Sequence, residues 1–209
     1  MCIRDRPSDV QTLIQNLPET TLLCLDEAYI DFVDDNFVPK ISLDTKNVIR
    51  MRTFSKAYGM AGLRVGYAIG EKDLILNFEK IRNHFGMSRI SQVGALAALE
   101  DYEFISDVIN KVKLARNRIA DIAINNNCKF IPSFTNFVAI DCLKDSKFAK
   151  KVLENLINNG VFVRMPYSYP QNRCIRVTVG LDKDIDLFEK YFPIACLLYT
   201  SPSPRDVRS

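Results

Sequence analysis

The sequence carries a carboxylate, a phenol and an amine where short apolar runs give out. Asp26 follows the run 22–25, Tyr29 comes three residues later, and Lys56 stands thirty residues beyond Asp26, just past the run 48–54. In an open α/β sheet such positions lie beyond the carboxyl ends of the strands, where ligands bind. A lysine amine condenses with an aldehyde and, once free, moves a proton. A carboxylate beside a ring nitrogen keeps that nitrogen protonated, and a phenol donates to a ring oxygen. Around Lys56, Thr53 and Ser55 offer hydroxyls, Arg64 offers a planar fork for a dianion, and Gly59 and Gly62 allow close backbone approach. The set reads as a cradle for a phosphorylated aldehyde with a basic ring nitrogen. Pyridoxal phosphate is such a molecule, an electron sink while its ring stays protonated, and Lys56 is its expected covalent anchor.

Taken singly these residues are ordinary, because most lysines and strand-end carboxylates are solvated surface groups, and Arg64 alone reads as an ion-pair partner. Their joint spacing gives the cofactor reading its weight. Arg176 lies in the apolar run 174–179. An uncompensated cation is costly there, so a ligand or a buried partner is expected. Arg164, in the run 161–165, also has a plain reading as a strand-end surface residue. His84 is the only histidine and falls late in a helical pattern. Lys56 already supplies a base, so His84 is assigned a structural role.

The elements that must position these groups follow from periodicity. Ser8 and Gln11 form a capping-box pattern that opens a short helix ending near Pro18. The runs 22–25, 48–54 and 65–69 predict strands buried on both faces of an α/β sheet, and helical patterns cover 72–83, 91–99 and 103–126. Strands over 130–142, 161–165 and 174–179, with helices over 148–158 and 185–191, then give a compact α+β pattern. A domain boundary is placed near residue 105, inside the long helix.

Asp26-Glu27-Ala28-Tyr29 and Thr53-Phe54-Ser55-Lys56, with Arg64 eight residues on, resemble the signature of fold-type I aminotransferases. The spacing from Asp26 to Lys56 is similar to that of the histidinol-phosphate branch of that family. The resemblance covers residues 7–195 and implies a fold-type I architecture. Residues 7–105 would be the later part of a large domain with a mixed, mainly parallel sheet, and 106–195 a complete α+β small domain. It also implies roles for two arginines. Arg176, in Cys174-Ile175-Arg176-Val177-Thr178, matches the one that binds the substrate's acid group. Arg164 resembles a second one near the substrate phosphate, although the loop 166–170 beyond it varies in the family. A site taking both a phosphate monoester and a dicarboxylic acid gains from two forked cations. The implied reaction passes an amino group from glutamate to imidazole-acetol phosphate, in histidine biosynthesis, in a homodimer at full length. Aromatic amino-acid transamination, decarboxylation of a phosphorylated amino acid and a non-catalytic regulator domain are the rival readings.

Both ends look foreign. Back-translated, residues 1–5 and 196–201 can be written as near reverse complements, the relation expected of one DNA adapter in two orientations. Segments 1–6 and 196–209 are therefore expected to be adapter-derived. A chain starting just before the Asp26 strand would lack upstream groups that the family uses, and is expected to be inactive alone. Without Arg4, Arg6, Arg205, Arg208, Asp5 and Asp206 the formal charge of +3 falls to +1, which leaves no basic footprint for nucleic acid. Apolar stretches stay far below the roughly 20 residues that span a bilayer. Cys24, Cys128, Cys142 and Cys174 have no metal or redox spacing and read as reduced packing groups, which suits a cytoplasmic protein.

Overall fold

A computed structural model describes residues 6–197, so segments 1–5 and 198–209, most of the adapter-like ends, lie outside the described residues. The chain divides into two compact units, one up to Asn110 and one from Lys111.

The first unit opens with helix α1 (Pro7–Gln15). Its N-cap is Arg6, not Ser8. Pro7 takes the first helical position, where its fixed φ suits the helix and a missing N–H costs nothing. Asp9 rather than Gln11 reaches back, accepting from the Arg6 backbone N–H at 3.2 Å. Strand β1 (Leu23–Asp26) pairs in parallel with β2 (Val48–Thr53), aligning Asp26 with Met51. Strand β3 (Gly66–Gly70) lies antiparallel to β2, so among the described residues this sheet holds one pair of each kind. The link from β2 to β3 contains only a 3-10 turn at Ala61–Leu63, too little for the crossover that a parallel return needs. A Cβ at Gly66 would meet the Arg52 carbonyl oxygen at 2.6 Å, so the sheet closes only with glycine there. β1 is not buried on both faces: Leu23 and Leu25 are half-buried while Cys24 and Asp26 are exposed. Cys24 is therefore a surface thiol, not a packing group. The core of this unit is Phe32, Val48, Ile49, Phe54, Ala57 and Val65.

Helix α2 (Lys72–Glu79) is shorter than its pattern, and His84 sits exposed in a turn beyond it rather than in a helix. Helix α3 (Arg89–Glu100) is N-capped by Ser88, whose hydroxyl accepts from the Ser91 N–H at 3.1 Å. The Ser91 hydroxyl donates to the Leu63 carbonyl at 2.7 Å, fastening α3 to the residue just before Arg64. Helix α4 (Tyr102–Asn125) contains the division between the units.

The second unit is an antiparallel sheet of β4 (Lys129–Ile131), β5 (Phe137–Asp141) and β6 (Cys174–Thr178) with helices α5 (Ser146–Asn158) and α6 (Asp182–Leu197). The run 130–142 is two strands rather than one. Pro132 cannot donate to a ladder, and the Ser133 hydroxyl accepts from the Thr135 N–H at 3.1 Å, turning the chain between them. The run 161–165 forms no strand; it contributes a single bridge, Arg164 to Arg176, before Pro166 ends the pairing. Helix α6 begins earlier than its pattern and continues through Ala195 to Leu197, placing Cys196 against the core. Ile119, Ile140, Val152, Leu156, Ile175, Phe188 and Phe192 fill that core, with the Phe188 and Phe192 rings stacked at 4.8 Å. Cys128, Cys142 and Cys174 are buried free thiols. Hydrogen bonding to Cys128 together with burial pushes the Cys142 and Cys196 thiols up, which keeps them protonated.

Candidate active site

In the first unit the parallel pairing of β1 and β2 brings their carboxyl ends to one edge of the sheet, where Asp26 and Thr53 are the terminal residues. Asp26 Oδ1 accepts from the Ala28 N–H at 3.0 Å, which bends the chain away from the strand. Tyr29 follows and opens the 3-10 turn Ile30–Phe32. After Thr53 the chain closes a tight loop: Met60 N donates to the Phe54 carbonyl at 2.9 Å and Gly59 N to the Lys56 carbonyl at 3.0 Å. Gly59 takes a φ of +69°, a left-handed value that strains any residue with a side chain. Lys56 stands in this loop half-buried, its Nζ 5.2 Å from the centre of the Tyr29 ring. The fold thus brings the expected amine and phenol together across the sheet edge.

The remaining expected groups engage their own loops. Ser55 N donates to Thr53 Oγ1 at 3.1 Å, which sets the two hydroxyl-bearing residues side by side. Arg64 is exposed, adopts a left-handed φ of 50°, and donates from Nη1 to the Ala61 carbonyl at 2.8 Å. At Gly62 an added Cβ would meet nothing within 4 Å, so the expected close backbone approach is open space. An amine, a carboxylate, a phenol, two hydroxyls and a guanidinium on one sheet edge fit an anionic aldehyde that carries a basic ring nitrogen.

One charged group escaped sequence reasoning. Glu27 is only 7% exposed and accepts from two guanidiniums, Arg50 Nε at 2.7 Å and Arg52 Nε at 2.8 Å. Two arginines alternating just after the buried pair Val48 and Ile49 were the available signal, since partly buried cations favour a nearby acid. Burial opposes the charge on Arg52, but hydrogen bonds to Glu27 and to Tyr67, its cross-strand neighbour, more than offset this and raise its pKa. Burial pushes the Asp31 carboxyl up from 3.8, with Arg52 opposing the shift. Burial, then the Asp31 charge, raises the Tyr58 phenol.

In the second unit Arg164 and Arg176 face each other across the isolated bridge, with Arg164 N donating to the Arg176 carbonyl at 3.1 Å and Arg176 N to the Arg164 carbonyl at 2.6 Å. The Arg176 guanidinium carbon lies 4.8 Å from the centre of the Phe137 ring. Its Nε is buried and has no hydrogen-bond partner among the described residues. Arg164 is exposed.

This chain belongs to the aminotransferase class I and II family, whose pattern matches residues 6–187. It is 36% identical over 193 residues to the histidinol-phosphate aminotransferase of Aliarcobacter butzleri (strain RM4018), a match covering 86% of this chain and 52% of that protein. The histidinol-phosphate aminotransferase of Bacillus velezensis (strain DSM 23117 / BGSC 10A6 / LMG 26770 / FZB42) is 37% identical over 190 residues, again 86% of this chain and 52% of the relative. The chain spans about half the length of these curated relatives. Among solved structures, the histidinol-phosphate aminotransferase of Sinorhizobium meliloti in complex with pyridoxal-5'-phosphate superposes with a TM-score of 0.91 at 43% identity, over 96% of this chain and 55% of that one. The fold is that of the fold-type I aminotransferases, with mixed α/β structure.

Proposed function

We propose that the protein carrying this chain is a histidinol-phosphate aminotransferase that uses pyridoxal phosphate. It would move the amino group of glutamate to imidazole-acetol phosphate, giving 2-oxoglutarate and histidinol phosphate in histidine biosynthesis. The observation that carries this reading is Lys56 Nζ held 5.2 Å from the Tyr29 ring, at the sheet edge where Asp26 ends β1. Relatives and a solved structure bearing that name, at 36% to 43% identity, support it. Pyridoxal phosphate, when bound, supplies an electron sink that stabilises negative charge at the substrate Cα.

The chain's own residues divide the remaining work. Lys56 anchors the cofactor and, when released, holds the proton that moves to and from Cα. Asp26 keeps the ring nitrogen protonated, and the Tyr29 phenol donates to the ring oxygen. Thr53, Ser55 and Arg64 hold the phosphate. Arg176 takes the acid group of each substrate, a carboxylate of glutamate or the phosphate of the acceptor, and Arg164 stands near that phosphate, both through forked donors. A homodimer of full-length chains in the cytoplasm completes the proposal, and the 209-residue chain by itself is expected not to turn over. No helix among the described residues is long and apolar enough to cross a membrane.

The test is to assay the full-length protein with glutamate as donor against imidazole-acetol phosphate and aromatic keto acids. The phosphorylated acceptor should win in kcat/KM by about 100-fold or more, because unpaired phosphate-binding groups penalise the competitor. Preference for the keto acids would make it an aromatic aminotransferase. Release of carbon dioxide from a phosphorylated amino acid would make it a decarboxylase, and cofactor binding without turnover a regulator.

A further inference from the structure

The Glu27 cluster plays no part in the chemistry assigned above, yet it occupies the joint between the groups that do. A carboxylate and two guanidiniums removed from water recover little net stability from their attraction, and well-packed apolar groups often do as well. What such a cluster supplies is geometry, since each guanidinium presents its donors in a rigid fork. Glu27 directly follows Asp26 and stands two residues before Tyr29. Its backbone N–H donates to the Met51 carbonyl at 2.9 Å, and its two carboxylate oxygens accept from Arg50 and Arg52. Those three partners are consecutive on β2, the strand that leads into Thr53, Ser55 and Lys56. Tyr67 on β3 is the cross-strand partner of Arg52. One side chain therefore ties the turn carrying Asp26 and Tyr29 to the strand that leads to Lys56.

We propose that Glu27 is a positioning residue: it holds Asp26 and Tyr29 in register with the strand bearing Lys56, and so sets how tightly the site accepts pyridoxal phosphate. This rests on the cofactor reading given above. Replacing the carboxylate by an amide leaves two part-buried guanidiniums without their shared anionic acceptor, and the turn carrying Asp26 and Tyr29 loses its clamp. Shortening the arm by one methylene keeps the charge but prevents both guanidiniums from being reached at once.

The experiment compares full-length wild type with Glu27→Gln, Glu27→Asp and Asp141→Asn. Asp141 provides the control because it is a second buried carboxylate, 6% exposed, clamped by Arg173 at 3.0 and 2.6 Å in the other unit. Three quantities are measured: thermal midpoint, pyridoxal phosphate Kd by spectroscopic titration, and the pH midpoint of the bound cofactor's visible absorbance. Both Glu27 variants should weaken cofactor binding by about tenfold or more, the fold-change that about 1.4 kcal/mol of disturbed positioning produces, and should move the pH midpoint. Asp141→Asn should lower the thermal midpoint while leaving Kd and pH midpoint at wild-type values. Glu27→Asp carries the test if Glu27→Gln does not fold. Wild-type Kd and pH midpoint in a folded Glu27 variant would overturn the proposal, as would equal changes in Asp141→Asn. Failure of the wild type to bind pyridoxal phosphate would overturn the cofactor reading and this proposal together.

Discussion

Replacing Arg176 by methionine separates a binding residue from a structural one, because the two roles predict opposite signs of stability change. The Nε of Arg176 is buried with no hydrogen-bond partner among the described residues, and a donor left so costs about 1–3 kcal/mol. The bridge that sets Arg164 opposite it adds a like-charge neighbour, worth a few tenths to about 1 kcal/mol against folding. The Phe137 ring at 4.8 Å returns roughly 0.5–2 kcal/mol as a cation–π contact. The balance favours removal by about 1 kcal/mol, and methionine fills similar space without a donor. Urea denaturation of full-length protein should therefore show Arg176→Met slightly more stable than wild type, with KM for both substrates sharply raised. Arg176→Lys keeps the charge and loses the fork, so substrate binding should weaken while cofactor binding holds. A loss of about 1 kcal/mol or more in Arg176→Met, with substrate KM unchanged, would refute the reasoning and make Arg176 a structural cation.

Two further outcomes follow from the first unit. Burial raises the Asp31 carboxyl above 3.8, so folding takes up a proton between the unfolded and folded values and stability falls as pH rises through that window; Asp31→Asn should remove this slope in thermal melts and stabilise the protein at neutral pH. Gly66→Ala places a Cβ 2.6 Å from the Arg52 carbonyl oxygen, so the pairing of β2 with β3 must shift, and a destabilisation of about 1–3 kcal/mol by denaturant titration is expected; wild-type stability would show that this edge gives freely.

The expected amine and phenol were legible because each follows a short apolar run, and a run of that kind marks where a buried strand ends. Lys56 and Tyr29 meet in space because β1 and β2 pair in parallel, a relation their apolar composition already suggested. Glu27 was not legible from its neighbourhood, since its partners stand 23 and 25 residues away and only the sheet register brings them near. The strand over 65–69 was expected in a mixed sheet, but no direction was assigned to it; the absence of a helical pattern between Thr53 and Gly66 was the usable clue to its antiparallel pairing. The run 130–142 divides into two strands and 161–165 keeps only a bridge for a common reason: Pro132 and Pro166 withdraw a backbone donor, and hydrophobicity alone does not register that loss. His84 and Cys24 were misplaced when patterns were extended past what packing supports, for α2 stops at Glu79 and β1 leaves one face open.

Whether Lys56 is the covalent anchor of pyridoxal phosphate is decided by borohydride reduction. Full-length protein loaded with the cofactor is reduced, digested and mapped by mass spectrometry, beside the Lys56→Ala variant. A pyridoxyl tag on Lys56 is expected in the wild type, and neither tag nor turnover in the variant. A tag on another lysine of the wild type, or one that persists in Lys56→Ala, would contradict it.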